Sequence, residues 1–456
     1  MLKLKQNDCK SLVSPRNLLY NRPYQRQGVS FPPLARENRR FAGRIICKGC
    51  KSCCPPPPSR AGAKGFTYNN RPFGAATGGF SMKKILVAAL ALVMLMTACC
   101  AVAEDTVKIG GLSPLTGSVA VYGLAVQAGV DYAVDEINAN GGVLGKQIEF
   151  VWRDDQGDPA YSVSMFNQLV GEDIVALVGA VTTAPTIAVF NEAAKTGVPA
   201  ITASASAYEV TNAGNNVFRA CFLDPYQAGI AAQFCKDNLG AETVAILYDN
   251  ANDYTLGMYE AFTAKAAEIG LEVIAVEVGV AGQADYSAQI GKIADAEPDV
   301  IYAAEYAQEL AIMLPQMFDA GLDETPLVGP DGFSGVDSQV GEDVGLLANC
   351  YYTSAFSLKS TSDVAKAFIE GFKAKNGADP TLFSALGYDA MKIMAQAIEK
   401  AGSTEKEAIV AALDATDIEG ATGHMTFDDH NDPIKSVFVI SFSDEGKEQL
   451  ATVVNP

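Results

Sequence analysis

The alternation of short apolar runs with longer helical patterns is the feature that most constrains the fold of this chain. The runs are bounded by Gly, Pro, Asp or Asn and occupy residues 107–112, 148–152, 174–179, 200–203, 244–248, 271–276, 300–303 and 327–329. Continuous apolar runs of this length are typical of strands that are buried on both faces of a sheet. We therefore predict a buried strand at each run.

Helical patterns lie between the runs. One helix is predicted ahead of a terminating Asn-Gly-Gly, because five apolar residues share a helical face: Val126, Val130, Ala133, Val134 and Ile137. A second helix is predicted ahead of Gly270 from the spacing of Tyr259, Phe262, Ala266 and Ile269. Strands that alternate with helices favour parallel sheets with helices on both faces, so we expect an α/β fold.

Hydroxyl groups follow two strands in the first half of the chain. Thr182 and Thr183 come after the third run, and Ser204 and Ser206 come after the fourth. Ligands of open parallel sheets bind beyond the carboxyl ends of the strands. Hydroxyls and free backbone N–H groups near helix starts suit a carboxylate, so this half is predicted to hold an anion.

Aromatic and acidic residues follow the strands of the second half. Tyr254 lies beyond the fifth run, Glu305 and Tyr306 come after the seventh, and Asp331 follows the eighth. A carboxylate with aromatic walls suits a cation. The two halves together predict a site for a zwitterion.

Several ordered motifs resemble one family of transport proteins. They read GGLSPLTG, INANGG, DDQGDP, ITASAS, FRACFLDPYQAG, GPDG and TGHMTFDD. In this order they are similar to the substrate-binding proteins of branched-chain amino acid ABC transporters, which have the type I periplasmic binding fold. The resemblance covers residues 104–456.

The resemblance implies two flavodoxin-like, Rossmann-like lobes with parallel central sheets, joined by a three-stranded hinge. We place the chain crossings near residues 220–224, 352–357 and 427–432. The first lobe would comprise residues 104–222 with 357–427, and the second residues 223–356 with 428–456.

The resemblance also implies roles for nine residues. Thr183 corresponds to the hydroxyl that receives the ligand carboxylate, Ser204 and Ser206 belong to a second carboxylate loop, and Asp331 pairs with the ligand ammonium. The remaining positions would line the cleft and the apolar side-chain pocket: Tyr122, Tyr254, Tyr306, Val181 and Phe383.

The implied function is capture of leucine, isoleucine or valine between the lobes, and delivery to the permease of an ABC transporter. A sensor of the same fold for another amino acid or a small amide is one alternative, and an exported amidase-like enzyme is another. No Ser-His-Asp, paired-carboxylate or metal constellation supports catalysis, so we expect neither an enzyme nor a cofactor.

A secretory signal peptide is predicted at residues 82–103. Met82-Lys83-Lys84 is its basic start, an apolar stretch follows, and Ala101-Val102-Ala103 is a cleavage site of small residues. Lipid attachment at Cys99 is the alternative to cleavage, and either outcome predicts an extracytoplasmic protein. Residues 1–81 have no helical or strand period, so we expect a spurious or disordered extension, with translation starting at Met82.

Charge excludes nucleic acid as a partner. Of the 34 Lys and Arg residues 17 precede Glu104, but only 2 of the 53 Asp and Glu residues do, which leaves 17 bases against 51 acids and a net charge of −34. A chain this acidic repels phosphate backbones. We expect a monomer whose partners are a small amino acid and a permease.

Cysteines and other potential metal ligands carry no strong signal. Four cysteines with metal-ligand spacing lie in the extension, which has no core pattern to hold an ion: Cys47, Cys50, Cys53 and Cys54. A disulfide between Cys221 and Cys235 and two buried thiols both stay open. The acidic DDQGDP segment is predicted to be a solvated strand end, without a metal.

Overall fold

A computed structural model describes residues 106–454 of the protein. The signal peptide predicted at 82–103, the extension 1–81 and the lipid site at Cys99 lie outside the described residues. Within the described range the chain forms two β-sheets, each flanked by α-helices, and a separate two-stranded hairpin. This architecture confirms the α/β prediction.

The first sheet has five parallel strands in the order β2-β1-β3-β4-β5. This is the flavodoxin-like order, with a switch point beside the first strand. The strands are β1 (Val107–Ser113), β2 (Ile148–Asp154), β3 (Ala176–Val178), β4 (Ala200–Thr202) and β5 (Val217–Arg219). The connecting helices are α1 (Ala120–Ala139), α2 (Pro159–Gly171) and α3 (Thr183–Thr196).

The second sheet repeats the same order with its own five parallel strands. They are β6 (Thr243–Asp249), β7 (Glu272–Gly279), β8 (Val300–Ala304), β9 (Leu327–Gly329) and β10 (Cys350–Ser354). Helix α4 (Asp224–Asp237) leads into this lobe, and its other helices are α5 (Asp253–Ile269), α6 (Ser287–Ala296) and α7 (Ala307–Asp319).

The chain then returns to the first lobe before it ends in the second. The returning elements are α8 (Asp363–Asn376), α9 (Leu382–Ala401), α10 (Lys406–Asp414) and the hairpin β11 (Asp417–Gly420) with β12 (Gly423–Thr426). Strand β13 (Val437–Phe442) then pairs antiparallel with β10, and β14 (Glu448–Val454) pairs antiparallel with β13 at the edge of the second sheet. These two strands were not predicted, and they make the second sheet mixed at one edge.

Helices α1 and α9 touch through glycines. A Cβ atom on Gly129 would lie 1.9 Å from the carbonyl oxygen of Ser384, and one on Gly387 would lie 2.5 Å from that of Val126. Only glycine permits backbones to approach this closely. Residues 382–401 therefore pack directly on the first helix of the first lobe.

The eight predicted strands and both predicted helices are confirmed, with one correction. Strands β2 and β7 are not buried on both faces, because they lie at sheet edges and most of their residues are partly or fully exposed. Helix α5 ends at Gly270, whose φ of 69° is left-handed. The exact residues at which the chain passes from one lobe to the other remain a prediction.

Two buried cations connect the segments near the predicted crossings. The Arg219 Nε atom lies 2.5 Å from Oδ1 of Asp432, with side chains 0% and 3% exposed. The ammonium group of Lys435 donates to the Ala220 carbonyl at 2.8 Å and also bonds the Thr422 hydroxyl. Segments more than 200 residues apart in the chain are thereby held together.

Other predictions about polar residues have mixed outcomes. Asp155 is completely buried instead of solvated, since its carboxylate accepts the Gly157 N–H inside the turn. Asp158 caps α2 by accepting the Tyr161 N–H at 2.7 Å. Cys221 and Cys235 are free, buried thiols.

Residues 106–454 contain no candidate metal centre and no candidate membrane span. No group of three or more His, Cys, Asp or Glu residues in this range could hold a metal ion. No helix of this range is long and apolar enough to cross a membrane.

Candidate functional site

A small cavity lies between the carboxyl ends of the two sheets. All nine predicted site residues line it, together with Thr182 and Gly332: Tyr122, Val181, Thr183, Ser204, Ser206, Tyr254, Tyr306, Asp331 and Phe383. The structure thus brings together side chains from both lobes. Whether they bind a ligand stays a prediction.

One end of the cavity presents hydroxyls and a helix start. Helix α3 begins at Thr183, and the preceding Thr182 makes no side-chain bond to the helix. No acidic residue lies in the first turn, so the positive end of the helix dipole is not neutralised locally. This end of the cavity suits a carboxylate.

The neighbouring loop is held in place by its own hydrogen bonds. The Thr202 hydroxyl donates to the Ala180 carbonyl at 2.7 Å, and the Ser204 hydroxyl donates to the Val181 carbonyl at 2.8 Å. The loops after β3 and β4 are therefore tied to each other, which fixes the wall on which Ser206 lies.

The second lobe contributes Asp331 to the lining of the cavity. Its side chain is 2% exposed, and its Oδ1 atom accepts the Tyr254 hydroxyl at 2.6 Å and the Gln227 amide at 3.1 Å. Burial raises the pKa of Asp331 to about 6, although both hydrogen bonds act to lower it. At neutral pH the group is mostly anionic, and no Lys or Arg among residues 106–454 forms an ion pair with it. This part of the lining suits an ammonium group.

Aromatic rings form the remaining walls. The Tyr122 ring centroid lies 4.6 Å from that of Phe383 and 5.5 Å from that of Tyr306, and Tyr306 stacks on Tyr254 at 5.1 Å. Val181 adds an aliphatic surface. Beside its polar groups the cavity therefore has apolar walls, which suit an apolar side chain.

Two polar residues behind the cavity were not predicted. Gln227 contacts Asp331, and Asp224 contacts Gln227 at 3.3 Å, both from the first turn of α4. They follow β5, a strand of three residues that is too short to show a period. The signal that could have found them is their position in the motif FRACFLDPYQAG.

Comparison with known proteins identifies the family. Residues 106–447 match the family model described as periplasmic binding protein. The chain is 34% identical over 349 residues to the Leu/Ile/Val-binding protein BraC3 of Rhizobium johnstonii, covering 76% of this chain and 94% of the relative. It is 34% identical over 334 residues to the leucine-, isoleucine-, valine-, threonine- and alanine-binding protein of Pseudomonas aeruginosa, covering 72% of this chain and 88% of the relative.

A crystal structure of a related protein is also similar to this chain. The branched-chain amino acid transporter substrate-binding protein LivJ of Streptococcus pneumoniae, in complex with isoleucine, matches with a TM-score of 0.72 and 33% identity. The match covers 77% of this chain and 99% of that one. The relatives are named as binding proteins, not as enzymes. With its two flavodoxin-like lobes around a shared cavity, the chain belongs to the periplasmic binding protein family.

Proposed function

We propose that the protein captures leucine, isoleucine or valine between its lobes and delivers the amino acid to the permease of an ABC transporter. The observation that carries the proposal is the lining of the cavity, which combines the buried carboxyl group of Asp331 with the start of α3 and with aromatic walls. The names of the relatives, which refer to leucine, isoleucine, valine or branched-chain amino acids, support the same ligand class.

The polar ends account for recognition of any free amino acid. The α-carboxylate would accept from the Thr183 and Ser206 hydroxyls and from N–H groups at the start of α3, and the ammonium would pair with Asp331. Hydrogen bonds to charged groups contribute about 1.5–3 kcal/mol each. This part of the site does not distinguish one side chain from another.

The apolar walls account for the preference among amino acids. Burying an aliphatic side chain of the size of valine or leucine contributes about 1.5–3 kcal/mol. A charged side chain against Tyr122, Tyr306 and Phe383 would lose its water without gaining a partner. We therefore expect aliphatic ligands to bind best, and lysine and glutamate to bind poorly.

Family membership implies an extracytoplasmic location. We propose that export uses the signal peptide at 82–103, with lipid attachment at Cys99 as the alternative to cleavage, and that the protein works as a monomer. Mass spectrometry of the native protein would decide between a chain that begins at Glu104 and one that is lipidated at Cys99.

The binding proposal is tested by Asp331→Ala. Removing one partner of a desolvated ionic contact costs about 3–5 kcal/mol, so affinity for leucine should fall by two orders of magnitude or more. Asp319→Ala, an exposed position at the end of α7 in the same lobe, is the matched control. Calorimetry with leucine, isoleucine, valine, lysine, glutamate and short amides should show aliphatic binding in the wild type. Unchanged leucine binding by Asp331→Ala would reject the assignment.

A further inference from the structure

A second buried carboxylate lies behind the first. Asp224 is the first residue of α4, and its side chain is only 1% exposed. Its backbone N–H donates to the Ser206 carbonyl at 3.0 Å. Asp224 therefore lies where the chain passes from the carboxylate loop of one lobe to the first helix of the other.

One amide connects the two carboxylates. The Gln227 Nε2 atom lies 3.3 Å from Oδ1 of Asp224 and 3.1 Å from Oδ1 of Asp331. Its Oε1 atom accepts from the Asp331 backbone N–H at 3.1 Å and from the Thr353 hydroxyl at 2.8 Å. Because the amide oxygen already serves two donors, the NH₂ group must point toward the carboxylates.

The charge of Asp224 is poorly compensated. Its Oδ2 atom is buried and has no hydrogen-bond partner among the described residues. The nearby cation Arg219 is engaged in its own buried ion pair with Asp432. A positive group arriving at Asp331 would therefore also be attracted by Asp224, at a site where water screens little.

We propose that Asp224 is a positioning residue of the ammonium site, which holds Asp331 through the shared Gln227 amide and adds a second negative charge behind it. The proposal rests on the proposed capture of an amino acid. It predicts that ligand affinity depends on a residue that does not line the cavity.

The proposal has a consequence for pH dependence. The pKa of Asp224 is raised to about 7, chiefly by burial and also by Asp331, although the Ser206 hydroxyl, Arg219 and the Gln227 amide act to lower it. The other titratable groups that interact with Asp224 are neutral at pH 7, because burial raises the pKa of each: Tyr254, Tyr302, Tyr306 and Cys221. A ligand ammonium favours the ionised carboxylate, so binding near pH 7 should release protons and affinity should rise from pH 6.5 to 8.

The test compares Asp224→Asn with the wild type. The amide has nearly the same shape and can still accept from Gln227, but it lacks the charge. At pH 8 its affinity for leucine should be lower by about tenfold or more, which corresponds to one pKa unit of differential interaction. Its rise in affinity between pH 6.5 and 8 should be lost. Asp237→Asn removes the same charge from the exposed end of the same helix and should change neither quantity.

Proton release gives a measurement that needs no variant. Calorimetry of leucine binding to the wild type at pH 7.0, in two buffers of different ionisation enthalpy, should show protons released. No release at this pH, or an Asp224→Asn protein that behaves like Asp237→Asn, would overturn the role of Asp224. If either of these results is found together with a large loss of leucine affinity in Asp331→Ala, only the role of Asp224 is rejected and the proposed binding function is retained. Unchanged binding by both Asp224→Asn and Asp331→Ala would reject the two together.

Discussion

The hydroxyl of Tyr122, on the first helix of one lobe, donates a 2.6 Å hydrogen bond to the carbonyl oxygen of Gly332 in the other lobe. The same hydroxyl accepts from the Ala307 N–H at 2.7 Å. Tyr122 is 1% exposed, so both bonds are shielded from water. A residue that lines the cavity with its ring thus also links the two lobes with its hydroxyl.

Tyr122→Phe should therefore weaken the contact between the two lobes, and with it ligand binding. The preference among ligand side chains should not change. The ring contacts with Phe383 and Tyr306 are kept, but the cross-lobe bonds are lost, and each net hydrogen bond contributes about 0.5–1.5 kcal/mol. Affinities for leucine, isoleucine and valine should fall by a similar factor of about ten. Calorimetry measures these affinities. The control is Tyr161→Phe, which makes the same change at a partly exposed tyrosine on α2. A variant with wild-type affinities would show that this link between the lobes does not contribute to ligand binding.

Thr183→Ala and Ser206→Ala should weaken every amino-acid ligand by a similar factor. Both residues are assigned to the ligand carboxylate, and a lost bond to a charged group costs about 1.5–3 kcal/mol. Thermal shift and calorimetry with leucine and valine measure the effect, and Thr196→Ala at the other end of α3 is the control. Loss of valine binding with leucine retained would place these hydroxyls at the side chain instead.

The cavity lining was predictable because of one topological rule. Residues that follow strands of a parallel sheet meet at one edge, so Thr183, Ser206, Tyr254 and Asp331 could be grouped from the sequence alone. The resemblance added roles for Tyr122, Val181 and Phe383, of which Phe383 does not follow any predicted strand. Phe383 reaches the site from α9, more than 200 residues after its neighbour Tyr122.

The parts that were missed depend on tertiary contacts. Strand β14 alternates between exposed and half-buried residues and lacks a continuous apolar run, which is why it escaped a search for buried strands. From the sequence alone Asp155 is predicted to be solvated, because the turn that buries its carboxylate cannot be recognised there. Gln227 becomes recognisable only when α4 and the loop after β9 are brought together.

Asp432→Asn should destabilise the fold strongly. It leaves the Arg219 guanidinium buried without its anionic partner, and breaking a buried ion pair costs about 3–5 kcal/mol. Urea unfolding should show this loss. Asp417→Asn, which removes the exposed partner of His424, should cost no more than about 1 kcal/mol. If Asp432→Asn lowers the free energy of unfolding by less than the control does, the hydrogen bonds of Arg219 to Thr211 and to nearby carbonyls are enough to compensate its buried charge.

Glu305→Gln should change how stability depends on pH. Glu305 is 2% exposed, and burial, with Glu309 and Asp249 nearby, raises its pKa to about 9. The folded state therefore holds a proton that the unfolded state loses near pH 4.3, so the contribution of Glu305 to stability is greatest below that pH and declines as pH rises toward 9.

Glutamine stays neutral and should remove this decline. At pH 8 the variant should be at least about 1 kcal/mol more stable than the wild type, whereas at pH 4.5 the two should be similar. Denaturant unfolding at both values measures the difference, with the exposed Glu324→Gln as control. If the free energy of unfolding changes equally with pH in the wild type and the variant, Glu305 is ionised in the folded protein.

The close approach of Gly129 to Ser384 also constrains the order in which the molecule can form. Helix α1 emerges early in synthesis, yet the surface it presents to α9 stays uncovered until residues 382–401 have been made. Contacts between such distant segments slow folding, since a long loop must close before they contribute. The early part of the chain therefore cannot complete its lobe until α9 has been made, and a chain that ends before α9 would expose an apolar helix face to aggregation.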